Sequence, residues 1–302
     1  MNLQSHKEYF KNIKTHISRW DKLKLELLVG LLPRMESLER SLSIVIQGPL
    51  NKRIKESIPH YLDLVKKNQH FLKKLENNPY SQEKTLGNIV ISYWDNDDES
   101  IISDYKNNPN IILVKNDSSM YNIQNKNHHS KNKRGAAPWI LQNVTTLEGL
   151  KHCTGNMSIK VRSDEIYPSL NIFHDAMFKK YGIFFTSDIF FRRDDHEKFH
   201  ISDHIIGNTT KKMQSAFQES LKMCINNNKD NNRFPEQLIC KGILKSLNID
   251  YSKEWKSKQI MKDNFSIIPI SSMPNSIWTC SYRGYEALRQ NEGNWVQDIK
   301  NI

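Results

Sequence analysis

Four short apolar runs in this chain each stop abruptly on polar residues, and that recurrence is what most narrows the folds open to it. Residues 41–47 contain Leu42, Ile44, Val45 and Ile46 and end in the tight turn Gln47-Gly48-Pro49-Leu50. Residues 88–94 carry Ile89, Val90 and Ile91 and halt on Trp94-Asp95-Asn96-Asp97-Asp98, and residues 110–115 run through Ile111 to Val114 and end on Asn116-Asp117. Runs of this length, rich in β-branched residues, read as strands. Between them, Ile58, Leu62, Val65, Phe71 and Leu75 recur at helical spacing within the Lys-, Asn- and Gln-rich 51–85 stretch, and Tyr105 belongs to a short helix. Strands alternating with helices predict an α/β chain with a Rossmann-like, mostly parallel central sheet flanked by helices, because parallel neighbours need long crossovers.

The fourth run, residues 157–165, reads Met-Ser-Ile-Lys-Val-Arg-Ser-Asp-Glu. Met157, Ile159 and Val161 alternate with Ser158, Lys160 and Arg162, which predicts a strand with one face buried. Its apolar pattern stops on Arg162, Ser163, Asp164 and Glu165, and Pro168 keeps it from running on. In open α/β sheets ligands bind outside the carboxyl ends of the strands, so charge held at this tip marks a candidate site. A guanidinium beside two carboxylates suits a phosphate together with a hard divalent cation such as Mg²⁺ or Mn²⁺. The same residues would also serve as a plain surface ion pair closing a strand.

The sequence of 302 residues carries a formal charge of +11 and a pI near 9.3, which favours an anionic partner without choosing among nucleotides, glycans, nucleic acids and membranes. Cys153, Cys224, Cys240 and Cys280 form no CxxC pair, which argues against a zinc site and a disulfide-stapled secreted fold. No apolar run reaches the roughly 18 residues of a membrane span, and no signal-peptide core opens the chain. A cytoplasmic protein is expected.

Residues 1–40 are expected to form a basic amphipathic helical extension, with Ile13, Ile17, Trp20, Lys24, Leu27 and Leu31 on one mostly apolar stripe. It would pack on the core or lie on an anionic membrane surface as a peripheral contact. Residues 118–135, with Asn125, Asn127, His128, His129, Lys131, Lys133 and Arg134, read as a loop, and a helix follows with Pro138 in its first turn. Residues 181–191 suggest a long strand or a strand pair, 200–207 a short strand or turn, and Met213, Phe217, Leu221 and Ile225 a helix. Another helix starts at Pro235-Glu236. The catalytic domain is expected to span 41–250, and the aperiodic 251–302 tail, with Trp255, Trp278 and Trp295, to wrap it.

Several stretches in order resemble the WavE-type lipopolysaccharide-synthesis family of glycosyltransferases: Ser43-Ile-Val-Ile-Gln-Gly-Pro49, Ile89-Val-Ile-Ser-Tyr-Trp94, the loop 127–134 leading to Thr145-Thr-Leu-Glu-Gly-Leu150, Ile159-Lys-Val-Arg-Ser-Asp164, His200-Ile-Ser-Asp203 and Pro235-Glu-Gln237. The resemblance covers roughly residues 41–245. It implies a GT-A-like nucleotide-sugar fold in which Arg162-Ser163-Asp164 stands where an Asp-X-Asp metal motif would, with Arg in place of the first Asp, and in which Arg134 corresponds to an Asn-Arg element.

Transfer from a nucleotide-sugar donor needs charge stabilisation at the departing diphosphate and a base for the acceptor hydroxyl. Asp164 is the expected metal ligand, with Arg162 and Arg134 assisting. Gln47, Gly48 and Pro49 would let the nucleotide approach the backbone, and Trp94, Asp95 and Asp117 would meet it at neighbouring tips. Glu236 and Asp203 are the candidate bases. Each has a structural alternative: Glu236 as a helix-start charge, Asp203 as a buried, hydrogen-bonded carboxylate. His204 is a further candidate contact, more commonly a partly buried histidine. The acceptor would be a glycan or glycolipid. A sugar-phosphate transferase would use the same grouping, and a non-catalytic nucleic-acid-binding protein would suit the charge. The basic residues are spread along the chain without an aromatic-basic motif, so no nucleic-acid partner is expected.

Overall fold

The computed structural model describes residues 41–75, 86–121, 137–180, 182–189, 198–226 and 235–278. The helical extension expected over 1–40, most of the 118–135 loop including Arg134, and the tail from 279 lie outside the described residues.

Three of the four apolar runs come first in the described chain as strands: β1 (Leu42–Gln47), β2 (Ile89–Trp94) and β3 (Ile111–Asn116). Helix α1 (Arg53–Leu75) joins β1 towards β2, and a 3₁₀ turn (Glu99–Tyr105) joins β2 to β3. Helix α2 (Ala137–Lys151) precedes the fourth run, β4 (Met157–Arg162). After it come α3 (Leu170–Lys179), β5 (Phe184–Ser187), β6 (Ile206–Thr209), α4 (Thr210–Asn226), α5 (Pro235–Ser246), α6 (Ser257–Asn264) and β7 (Phe265–Ile268).

The strands form one sheet in the order β3-β2-β1-β4-β6-β5-β7. The first four are mutually parallel, as the sequence predicts, with Gln47 level with Ser92 on one side and Arg162 on the other. β6 runs against both its neighbours, and β7 is parallel to β5. From β1 the chain moves outward to β2 and β3 and then returns to the other side of β1 as β4. The strand order therefore reverses between β1 and β4, where open α/β sheets leave a crevice.

Each face of the sheet is covered. Leu42, Ile44, Ile46, Ile159 and Val161 share a core with Ile54, Ile58 and Tyr61 of α1 and Phe173 of α3. Val45 and Val90 pack on the other face with Leu147 and Leu150 of α2, Phe217 of α4 and Ile243 of α5. Gly149 permits this close seating of α2, since a Cβ there would sit 2.6 Å from Val45 Cγ1. β4 lies centrally, so the expectation of one buried face is corrected: Ser158 and Lys160 on its second face are fully buried as well.

The remaining elements refine the sequence expectations. Of the long strand or strand pair expected over 181–191, the described residues hold β5, and the segment 200–207, expected as a short strand or turn, leads into the reversed strand β6 at its end. Helix α3 carries no terminal signal strong enough to have been expected. Within the segment from 251, β7 is the edge strand of the sheet, Met261, Ile267, Ile270 and Met273 are buried in the core with Trp278 packed against it, and Trp255 is 78 % exposed.

Candidate functional site

The tips of β1, β2 and β4 are tied together by main-chain bonds before any side chain is considered. Gly48 N donates to Ser92 O at 3.2 Å and Ser163 N to Gln47 O at 2.9 Å. Gly48 has φ +117°, and a Cβ there would meet Ser163 Oγ at 2.9 Å, so the turn needs glycine on both counts. Ser163 Oγ in turn donates to Pro49 O at 2.8 Å. Asp97 Oδ2 accepts from Leu50 N at 3.1 Å and Trp94 N at 2.9 Å, which pins the β2 tip to the start of the loop into α1. Asn51 Oδ1 caps α1 by accepting from Arg53 N at 3.0 Å, and Arg53 Nη1 donates to Asp164 O at 2.8 Å.

These ties enclose a cleft of about 660 Å³ at the switch point. Gln47, Gly48, Pro49 and Asn51 form the side from β1, and Trp94, Asn96 and Asp97 continue it from β2, with Ser118 beyond β3. Arg162, Ser163 and Asp164 close the β4 side, and Leu141, Gln142 and Thr145 face them from α2. Thr145 Oγ1 lies 3.0 Å from Gln47 Oε1, joining helix to sheet.

Of the residues expected from sequence, Gln47, Gly48, Pro49, Trp94, Arg162 and Asp164 are brought together on the cleft wall. Asp95 and Asp117 stand outside it: Asp95 Oδ1 accepts from Ser118 N at 3.2 Å, Asp117 Oδ1 from Ser119 N at 2.8 Å, and both shape the turn after β3. Asp203 is 3 % exposed and lies behind the wall. Glu236 sits in the first turn of α5 with its carboxylate 3.9 Å from His200 Nε2, and it does not line the cleft. The sequence reading missed Asp97, Gln142 and Thr145 on the wall and Lys160 behind it. Asp97 had a signal in the acidic run after β2. Thr145 opens one of the stretches that resemble the WavE-type family, and Gln142 had only its three-residue spacing from Thr145 on α2, which places the two on one face.

No protein-family model matches the chain, and no curated protein matches its sequence.

Behind the cleft the charged groups form one network. Arg162 Nε and Nη2 each donate to Asp164 at 3.0 Å, a bidentate pair, and the guanidinium also stands 3.4 Å from Glu165 and 3.7 Å from Asp203. Burial works against the Arg162 charge, but Glu165, Asp164 and Asp203 outweigh it and raise its pKa. Glu165, fully buried, faces His204 Nδ1 at 2.5 Å and accepts from Tyr167 OH at 2.6 Å. Lys160 Nζ donates to the main-chain oxygen of Asp203. Burial pushes the Lys160 ammonium down to about 8, opposed mainly by Asp203. Asp203 and Glu165 are penalised by burial too, yet His204 with Lys160 and Arg162 around Asp203, and with Arg162 beside Glu165, holds both below the usual carboxylate range.

Among the described residues no group of three or more His, Cys, Asp or Glu side chains is placed to hold a metal ion. The carboxylates facing the cleft are Asp97 and Asp164, and each already accepts two hydrogen bonds. That donor set does not make a protein cage, and a cation placed there would have to complete its shell from ligand and water. No helix among the described residues is long and apolar enough to cross a membrane.

Proposed function

We propose that this chain is a nucleotide-sugar-dependent glycosyltransferase of GT-A-like fold, akin to the WavE-type family, that moves a sugar onto a surface glycan of the lipopolysaccharide or capsule kind. The observation that carries the reading is the cleft at the β1/β4 switch point, where the start of α1, the Gln47-Gly48-Pro49 turn and the Arg162-Ser163-Asp164 tip meet. Its volume is that of a small-molecule site, and its position is where α/β sheets bind nucleotides.

The chain's own residues supply three things there. Gly48 keeps the β1 turn free of a side chain, so a ligand approaches main chain directly. Arg162, anchored by Asp164, presents a guanidinium that does not lose its proton, which suits a developing diphosphate charge. Gln47, Asn51, Asn96, Gln142 and Thr145 offer uncharged donors and acceptors, the groups that read hydroxyls without competing for the phosphates. A divalent cation bound at this site would be held by Asp97 and Asp164 and would neutralise phosphate charge. Glu236 and Asp203, the two candidate bases, both stand off the cleft wall, so neither is given the base role in this reading.

The test is binding followed by turnover. UDP, GDP and CMP, each with and without Mn²⁺ or Mg²⁺, are screened for a rise in melting temperature, and the matching sugar nucleotides are assayed for hydrolysis or transfer. One nucleotide is expected to raise the melting temperature by a few degrees, more with the cation present. In a folded Asp164→Ala protein, turnover is expected to fall at least about a hundredfold. Parent-like turnover removes Asp164 from the mechanism, and phosphate retained on the acceptor product turns the reading to a sugar-phosphate transferase.

A further inference from the structure

Asp203 does not reach the cleft, yet it touches two residues that do. Its Oδ2 accepts from Gln142 Nε2 at 2.5 Å and stands 3.7 Å from Arg162 Nη1. Its Oδ1 faces His204 Nε2 at 3.6 Å, and its main-chain oxygen takes the Lys160 ammonium. Three basic side chains, Lys160, Arg162 and His204, thus surround one carboxylate, which keeps it ionised despite its burial. A proton acceptor for catalysis needs the opposite: contact with the reacting hydroxyl and an affinity for protons near the working pH. Asp203 has neither.

An ionised carboxylate accepts hydrogen bonds and donates none, so the end of the Gln142 carboxamide turned towards it is the NH₂. The Gln142 carbonyl oxygen is therefore directed away from Asp203. Gln142 lines the cleft, and no donor among the described residues meets that oxygen.

We infer that Asp203 is a positioning residue: it fixes Gln142 as a hydrogen-bond acceptor of set direction on the cleft wall and steadies Arg162 beside it, so the wall reads a hydroxyl next to an anion. The ligand identity rests on the glycosyltransferase reading, whereas the fixed orientation of Gln142 rests on the geometry alone. A ribose or sugar hydroxyl meets the Gln142 oxygen, and the phosphates lie towards Arg162. A ligand that places a second acceptor at that point, such as a fluorine in place of the hydroxyl, leaves the Gln142 oxygen unmatched and binds less tightly.

The experiment has two arms on the full chain. In the ligand-free arm, side-chain nitrogen NMR follows the Gln142 carboxamide and the Arg162 Nε–H in the parent and in Asp203→Asn. Both signals are expected to shift and exchange faster in the variant while the main-chain spectrum is retained; signals indistinguishable from the parent overturn the inference. In the ligand arm, UDP-glucose, UDP-N-acetylglucosamine and GDP-mannose are titrated, and the tightest probe is carried into Asp203→Asn, Gln142→Ala and the double variant. Each single change is expected to weaken binding about tenfold to a hundredfold, the worth of one charge-assisted hydrogen bond, and the double change little more than either.

Additive losses overturn the inference. So does unchanged binding with turnover abolished and the acid limb of the pH profile gone, which would make Asp203 the base. Gln142→Glu sets two carboxylates against each other without altering Asp203. It is expected to lose at least as much affinity as Gln142→Ala, and parent-like affinity counts against the inference even if Asp203→Asn fails to fold. A parent that binds none of the probes overturns the glycosyltransferase reading, and the ligand-free arm still decides the orientation of Gln142.

Discussion

Lys160 is the residue whose cost most needs explaining, because an ammonium with no solvent exposure sits in the middle of the central strand. Its charge is met by the main-chain oxygen of Asp203 and by the Asp203 and Glu165 carboxylates around it. Removing one member of such a buried set leaves the others uncompensated. Lys160→Ala is therefore expected to lower unfolding free energy by about 3–5 kcal/mol, read by urea denaturation. The carboxylates of the same network set the acid limit. Asp203 and Glu165 bind protons less readily in the folded protein than in the unfolded chain. Between about pH 4 and their lower folded values the unfolded chain binds more protons, so their contribution is full above that window and is lost as pH falls through it. Circular dichroism across an acid titration is expected to show unfolding that begins below about pH 4, with a shallower acid limb in Asp203→Asn.

At the scale of elements, the cleft depends on two close approaches. The β1 turn and the β4 tip touch through Gly48 and Ser163, and Gly48→Ala meets both a left-handed φ and the Ser163 hydroxyl. It is expected to cost about 1–3 kcal/mol. Adding Ser163→Ala should recover the steric share of that loss and leave the backbone share, a difference readable in melting temperatures. Helix α2 approaches the sheet over Gly149, and Gly149→Val would push it away from Val45 and Ser92. Since Gln142 and Thr145 ride on the same helix, the expected result is a destabilisation of about 1–3 kcal/mol together with weaker ligand binding. A loss of stability with ligand affinity unchanged would separate the cleft wall from the seating of α2.

At the scale of the molecule, the net charge of +11 and the cleft point in different directions. The cleft wall carries Arg162 against Asp97 and Asp164, so the basic excess lies elsewhere on the chain. Binding of a sugar nucleotide is expected to weaken only modestly from 50 to 200 mM salt, as few ion contacts are involved, while any duplex binding driven by the general charge should collapse over that range. Fluorescence anisotropy with both probes makes the comparison, and a steep slope for the nucleotide would deny the cleft its role. The sequence by itself determined the four parallel strands and their polar tips, because β-branched runs and the residues that end them are local in the chain, and it placed Gln47, Gly48, Pro49, Trp94, Arg162 and Asp164 at those tips. Only the tertiary structure decided that β6 runs backwards and that β7 completes the sheet, since strands of four residues carry too short a pattern to declare their pairing. It also decided that Lys160 is buried and that Asp203 grips Gln142 from 61 positions away. Hydrogen-bond partners that distant come from the packing of α2 against the sheet, and no spacing along the chain encodes them.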